Sequence, residues 1–217
     1  MLDVLFQNPF AFIVFALLLL VVVTVHEFSH AFAANRLGDP TPSLMGRLTL
    51  NPLAHLDPIG TLLFIIAGFG WGKPVPFDPF NLRHPKKDAA IISFAGPASN
   101  IVMAAVASLI LRFMIFVPGI TFSIATADFV TEFVKLNILL AIFNLIPIHP
   151  LDGFKVVAGL LPKKYYDDWM DLQRYGMIFL IFLIFPFFGR APIFTIINPV
   201  MHFLLSILIP SNLGGII

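Results

Sequence analysis

Apolar residues run along this chain in long unbroken blocks, without the one-sided or alternating patterns of a soluble protein. The blocks cover residues 9 to 36, 58 to 70, 89 to 117, 126 to 147, 175 to 188 and 192 to 210, with Pro/Gly-rich connections between them. About 20 residues of helix match the thickness of a bilayer core. The pattern therefore predicts an all-α polytopic membrane protein with about five or six transmembrane helices. The first block, residues 9 to 36, would be roughly 42 Å long as a helix, so its far end leaves the hydrocarbon. The block at 58 to 70 is short for a span, with Pro58 and Gly60 at its start and Gly68 and Gly70 at its end. No internal repeat is visible.

Charge decides how that short block is placed. If the first helix runs inward and 58 to 70 dips in and returns, the cytoplasmic side receives Arg36, Arg47, Lys73, Arg83, Lys86, Lys87, Lys155, Lys163, Lys164 and Arg174. These are 10 of the 13 basic residues. A crossing would put Lys73, Arg83, Lys86 and Lys87 outside and weaken the positive-inside bias. The reading is a re-entrant segment.

Composition agrees with a membrane chain, since its 217 residues are 59% hydrophobic and 12% charged. That length is filled by a single membrane domain over 1 to 217, with a core at 9 to 160 and further C-terminal helices at 172 to 210. A net charge of +1 offers nucleic acid no basic face. The N-terminus has no basic n-region, its first charge is Asp3 and no small-residue cleavage site follows, so it reads as a retained helix. With no cysteine in the chain, any metal must be held by imidazole and carboxylate.

Near the inner end of the first block stands Val25-His26-Glu27-Phe28-Ser29-His30. Residues four apart share a helix face, so His26 and His30 can bind one ion while Glu27 lies beside it. A zinc ion lowers the pKa of water at its open position to about 7, and a neighbouring carboxylate can take the proton. Amide hydrolysis is the chemistry implied. The alternative, ordinary helix residues at a membrane surface, fits poorly because Glu27 and Glu132 are the only glutamates in the chain and ionisable groups at depth are generally functional.

A catalytic zinc site needs a third protein ligand. An HExxHxxGxxH pattern is excluded, because Ala33 and Arg36 stand where Gly and His would be required. Glu132 lies far along the chain inside another apolar block. The best candidate is Asp152 in FNLIPIHPLDG, residues 143 to 153, where Pro147 and Pro150 end a helix and Gly153 permits tight backbone geometry. An Asp-Gly turn that merely opens a loop is the competing reading.

HEFSH in a membrane helix, GPASN at 96 to 100 and NLIPIHPLDG at 144 to 153 together resemble the site-two protease family of intramembrane zinc metalloproteases. GRLTLNPLAHLDPIGT at 46 to 61 and GFGWGKPVPFDP at 68 to 79 resemble its compact prokaryotic branch, which lacks PDZ and CBS modules. The resemblance covers about residues 20 to 160. It implies that His26, His30 and Asp152 bind one Zn2+, that Glu27 is the general base, and that Asn144 stands near the substrate carbonyl or its oxyanion. A helix-end cap or interhelical hydrogen bond remains open for Asn144. Gly96, Pro97 and Asn100 are expected to serve close helix packing. His55, Asp57 and His149 are candidates to support the ligands or to sit at the interface, and Tyr165, Tyr166 and Trp169 read as interface anchors.

The expected function is a zinc protease that cleaves within or near a transmembrane segment of a membrane-protein substrate, in a prokaryotic cell membrane, with its active site nearer the cytoplasmic side. Its partners are that substrate and the lipid bilayer, with no nucleic acid. A transporter or metal-handling protein using the same polar residues as an ion site is the alternative, and no symmetric halves support it.

Overall fold

A computed structural model describes residues 2–67, 69–116, 123–186, 189 and 191–210. Gly68 of the second apolar block, Val117 of the third, and Phe187, Phe188 and Arg190 of the aromatic tail lie outside the described residues. Among the described residues there are ten α-helices and no β-strand, as the all-α reading expects. The chain divides into two compact units, Met1–Asp88 and Ala89–Ile217.

In the first unit, α1 (Leu2–Gln7) precedes α2 (Pro9–Arg36), whose bounds coincide with the first apolar block. Local chemistry sets both ends. The Asn8 side chain accepts the Ala11 N–H at 3.0 Å and Pro9 takes the first helical position. At the far end Gly38 adopts a φ of +107°, a left-handed conformation that suits glycine. The buried stripe of α2 runs Leu18, Val22, His26, His30 and Ala34, one residue every four. Ile13, Leu17 and Val21, elsewhere on the helix, are 53%, 56% and 50% exposed. Unlike a soluble amphipathic helix, this one exposes branched aliphatics and carries two imidazoles on the same buried stripe as Leu18 and Val22.

After α3 (Thr41–Leu44) the chain reaches α4 (Pro58–Ala67). Ten residues make about 15 Å of helix, half of a bilayer core. The return is immediate and tight. A Cβ on Gly70 would lie 2.2 Å from the Gly60 carbonyl oxygen, and one on Gly60 would lie 2.2 Å from that of Trp71. Only glycine permits backbones this close. Leu56 then pairs with Gly72, and Lys73 N–H donates to the His55 carbonyl at 2.8 Å. Both ends of the 58–70 excursion thus meet at one place.

The connections on either side of α4 are fastened by Asp39, which is fully buried. Its carboxylate accepts hydrogen bonds from Thr41 N–H at 3.0 Å, Thr41 Oγ1 at 2.6 Å, Asn81 Nδ2 at 2.8 Å and Asp78 N–H at 2.7 Å. Burial alone would raise the Asp39 carboxyl, but these bonds hold it below its ordinary value.

The second unit is built on α5 (Pro85–Phe116, from Ala89 onward), α6 (Ile124–Leu145), α7 (Asp152–Leu160), α8 (Lys163–Asp171), α9 (Gln173–Ile184) and α10 (Ile193–Leu208). Ala104, Ala107 and Leu111 of α5 pack with Val134 and Ile138 of α6 and with Leu205 of α10. Inside this packing Asn100 Nδ2 donates to Asn137 Oδ1 at 3.0 Å, and Asn137 Nδ2 donates to the Phe133 carbonyl at 2.8 Å. Asn100 of the GPASN motif therefore bridges α5 and α6. Trp169 ties α8 to α7, donating to the Phe154 carbonyl at 2.9 Å with its ring stacked 5.2 Å from that of Phe154.

By length and composition α2 and α5 are candidate membrane spans, and α9 and α10 are shorter apolar helices. In α6, Asp128, Glu132 and Lys135 interrupt the apolar run.

Candidate metal centre

His26 and His30 stand one turn apart on the buried stripe of α2, 4% and 7% exposed. Their Nε2 atoms are 3.0 Å apart, and their rings meet edge to face with planes at 86°. Two imidazole nitrogens held at about 2.0–2.1 Å by one tetrahedral zinc must lie roughly 3.4 Å apart. A small rotation of either ring would admit the ion, so the pair fits zinc.

Glu27, on the turn between them, is half-buried. The returning segment after α4 passes close by. A Cβ placed on Gly72 would lie 3.6 Å from Glu27 Oε1, 3.3 Å from Val23 Cγ1 and 3.2 Å from the His55 carbonyl oxygen. The residue next to the carboxylate is one without a side chain, which leaves room beside it.

A cation completes this surrounding. The Arg47 side chain is buried, 3% exposed, and its guanidinium donates to the carbonyls of Ala54 and Lys73. Burial pulls Arg47 below its ordinary value, and the Glu27 carboxylate acts in the opposite direction. Sequence reasoning counted Arg47 only as an inside positive charge. A signal was present, because Arg47 is the single Asp, Glu, Lys or Arg between Asp39 and Asp57, and an isolated charge in an apolar stretch asks for a partner.

His55 and Asp57 have local roles. His55 is 1% exposed, and its Nε2 lies 2.8 Å from the Thr49 carbonyl. A carbonyl only accepts, so Nε2 carries the proton. Asp57 caps α4, accepting the Gly60 N–H at 2.8 Å.

In the second unit Asp152 opens the first turn of α7, half-buried, where the helix dipole favours an ionised carboxylate. Gly153 explains the Asp-Gly pair. A Cβ there would lie 2.2 Å from the Leu145 carbonyl oxygen and 2.7 Å from that of Ile146, so glycine lets α7 start directly on the end of α6. Close approach, and no left-handed φ, is the reason for this residue. Lys155, one turn on, is held below its ordinary value by burial while Asp152 pulls the other way. His149 lies edge-on to Phe154 with centroids 5.7 Å apart, and is held below its ordinary value by burial and then by the Lys155 charge. Asn144 Nδ2 donates to the Leu140 carbonyl at 3.0 Å, one turn back on α6, which leaves its second amide hydrogen for another acceptor.

Comparison with known proteins accords with this chemistry. The profile of peptidase family M50 matches residues 14–135, which include His26, Glu27 and His30. The protein named "Putative zinc metalloprotease YwhC" of Bacillus subtilis (strain 168) is 38% identical over 173 residues, 77% of this chain and 78% of that protein. "Putative zinc metalloprotease Rip2" of Mycolicibacterium smegmatis is 32% identical over 184 residues, 79% of this chain and 66% of that protein. Its namesake in Mycobacterium tuberculosis (strain ATCC 25618 / H37Rv) is 30% identical over 171 residues, 76% of this chain and 63% of that protein. No solved structure matches the chain.

Proposed function

We propose that this chain, which belongs to peptidase family M50 of site-two proteases and is a zinc metalloprotease, hydrolyses peptide bonds within or next to transmembrane segments of other membrane proteins. The observation that carries the proposal is the position of His26 and His30 on the buried stripe of a 28-residue apolar helix, with half-buried Glu27 between them and Ile13, Leu17 and Val21 of the same helix exposed. Hydrolytic groups on such a helix serve a substrate that is itself in the membrane.

His26, His30 and Asp152 would hold the zinc, two imidazoles and a carboxylate being a donor set that suits it. The two compact units then act as one protease domain. Zinc, when bound, supplies Lewis acidity toward the scissile carbonyl and the attacking water. Glu27 takes the proton of that water and later delivers it to the leaving amine. The second Nδ2 hydrogen of Asn144 donates to the charge developing on the carbonyl oxygen. Backbone amides of a helix in lipid are already hydrogen-bonded, so the substrate must unwind locally before its carbonyl is accessible.

The membrane arrangement follows the same logic. α2, α5, α6, α9 and α10 cross, while α4 re-enters from the cytoplasmic side of a prokaryotic cell membrane and returns. Supporting this are the positive-inside bias, since this arrangement would put 10 of the 13 basic residues inside, and the meeting of Leu56 with Gly72 at the base of α4. Water enters between the connections 37–57 and 71–88, which Asp39 fastens together through Asp78 and Asn81.

The test is reconstitution of the full chain in phosphatidylcholine/phosphatidylglycerol vesicles with a labelled single-span peptide carrying a Gly-Pro break. Mass spectrometry should find cleavage inside or beside the span, abolished by zinc chelation. Cleavage confined to soluble peptides, with none in the vesicle-embedded one, would contradict the proposal.

A further inference from the structure

We propose that Arg47 is a positioning residue for the Glu27 carboxylate, clasping the segment 71–73 so that it closes over Glu27. The proposal rests on the reading of Glu27 as the group that moves the proton. Arg47 follows Gly46, whose left-handed φ of +68° turns the chain sharply. Its guanidinium then bridges two carbonyls far apart in sequence, Ala54 before α4 and Lys73 after it. Around that fork, Lys73 N–H donates to the His55 carbonyl at 2.8 Å and Leu56 pairs with Gly72. Gly72 is the residue whose absent side chain leaves 3.6 Å between a Cβ position and Glu27 Oε1.

Two neutral carbonyls do not by themselves offset the desolvation of a guanidinium, and the Arg47 Nε is buried without a hydrogen bond. The Glu27 carboxylate opposes the effect of burial on Arg47. Arg47 thus couples the position of the returning segment to the presence of the carboxylate. Without the fork, the Lys73 carbonyl loses its donor and segment 71–73 is released from above Glu27. Lysine, a single point donor in place of a planar fork, would restore the charge and only part of the clasp.

The full chain, loaded with zinc in vesicles, tests this with Arg47→Met, Arg47→Lys and Gly72→Ala, using the same single-span peptide and hydrogen exchange over residues 70–76. Arg47→Met is expected to keep its zinc and lower kcat per bound zinc by roughly 10–100-fold, the scale of charge-assisted hydrogen bonds. KM should stay within about threefold, exchange at 71–73 should rise at least about tenfold, and Arg47→Lys should recover part of both. Gly72→Ala should lower kcat about tenfold with zinc retained, which keeps the test open should Arg47→Met fail to fold. Unchanged exchange and wild-type kcat per zinc in Arg47→Met would overturn the proposal, as would activity lost only in proportion to zinc. Should the wild type hold zinc yet leave the peptide uncut, the faster exchange would still establish the clasp, and the protease reading alone would fall.

Discussion

The two units bury different kinds of polar group. Among the described residues the first unit buries six ionisable groups, Asp39, Arg47, Asp88, His26, His30 and His55, beside the neutral Thr24, whereas the second buries Ser93, Asn100, Ser108, Thr131 and Asn137, none of them ionisable. Taking a charge out of water costs several kcal/mol unless it is matched, while a neutral amide pair is satisfied by one or two hydrogen bonds. Charge is therefore concentrated where connections must be held, Asp39 joining 41 to 78 and 81 and Arg47 joining 54 to 73. The second unit uses Asn100 and Asn137 only to hold α5 against α6. The contrast is one of fully buried groups, charged in the first unit and neutral in the second; Asn144 and Asp152 of the second unit, which the proposed chemistry uses, are half-buried.

The largest expected effect lies in the charged interior. Glu27→Gln should keep its zinc and lose about 10²–10⁴-fold in kcat, the usual contribution of a positioned general base, in the vesicle cleavage assay. Turnover at the wild-type rate would remove Glu27 from the mechanism. Next comes a substitution in the packing interior that reaches the chemistry. Gly153→Ala forces a Cβ against the Leu145 carbonyl and should cost about 3 kcal/mol in detergent unfolding, with a lower zinc content because Asp152 is displaced.

Asp39 gives a smaller effect with a definite pH dependence. Its folded carboxyl titrates below the ordinary value of 3.8, so its contribution is complete above that value and is lost as pH falls through the folded one. Asp39→Asn should reduce stability at neutral pH by roughly 2 kcal/mol and flatten the loss expected of the wild type below about pH 4. A variant with the wild-type acid profile would mean that Asp39 does not hold the loops. The smallest effect belongs to the neutral pair. Asn137→Leu should cost only about 0.5–1.5 kcal/mol, typical of hydrogen bonds between membrane helices, with kcat unchanged. A large loss of turnover there would break the division between the two interiors.

The residues legible in sequence are those placed by local rules. The bounds of α2 follow from Asn8-Pro9 at one end and Gly38 at the other, and the pairing of His26 with His30 follows from helix periodicity alone. The half-length of α4 was readable from Pro58 and the glycines that follow. What was not readable depends on contacts between distant stretches. The Arg47 fork joins residues 54 and 73, Asp39 joins 41, 78 and 81, and Trp169 binds a carbonyl of α7, where sequence alone suggested an interface anchor. Burial of His55 had the same origin, because the partner that satisfies it is the Thr49 carbonyl of a loop with no periodic pattern.

The most direct test of the central claim is zinc content per chain, measured on the full protein in detergent for wild type, His26→Ala and Asp152→Ala at matched helical content. The account predicts about one zinc in the wild type and loss in both variants. Zinc retained by Asp152→Ala but lost by His26→Ala would contradict Asp152 as the third ligand, and a properly folded wild type with no zinc would contradict the metal centre itself.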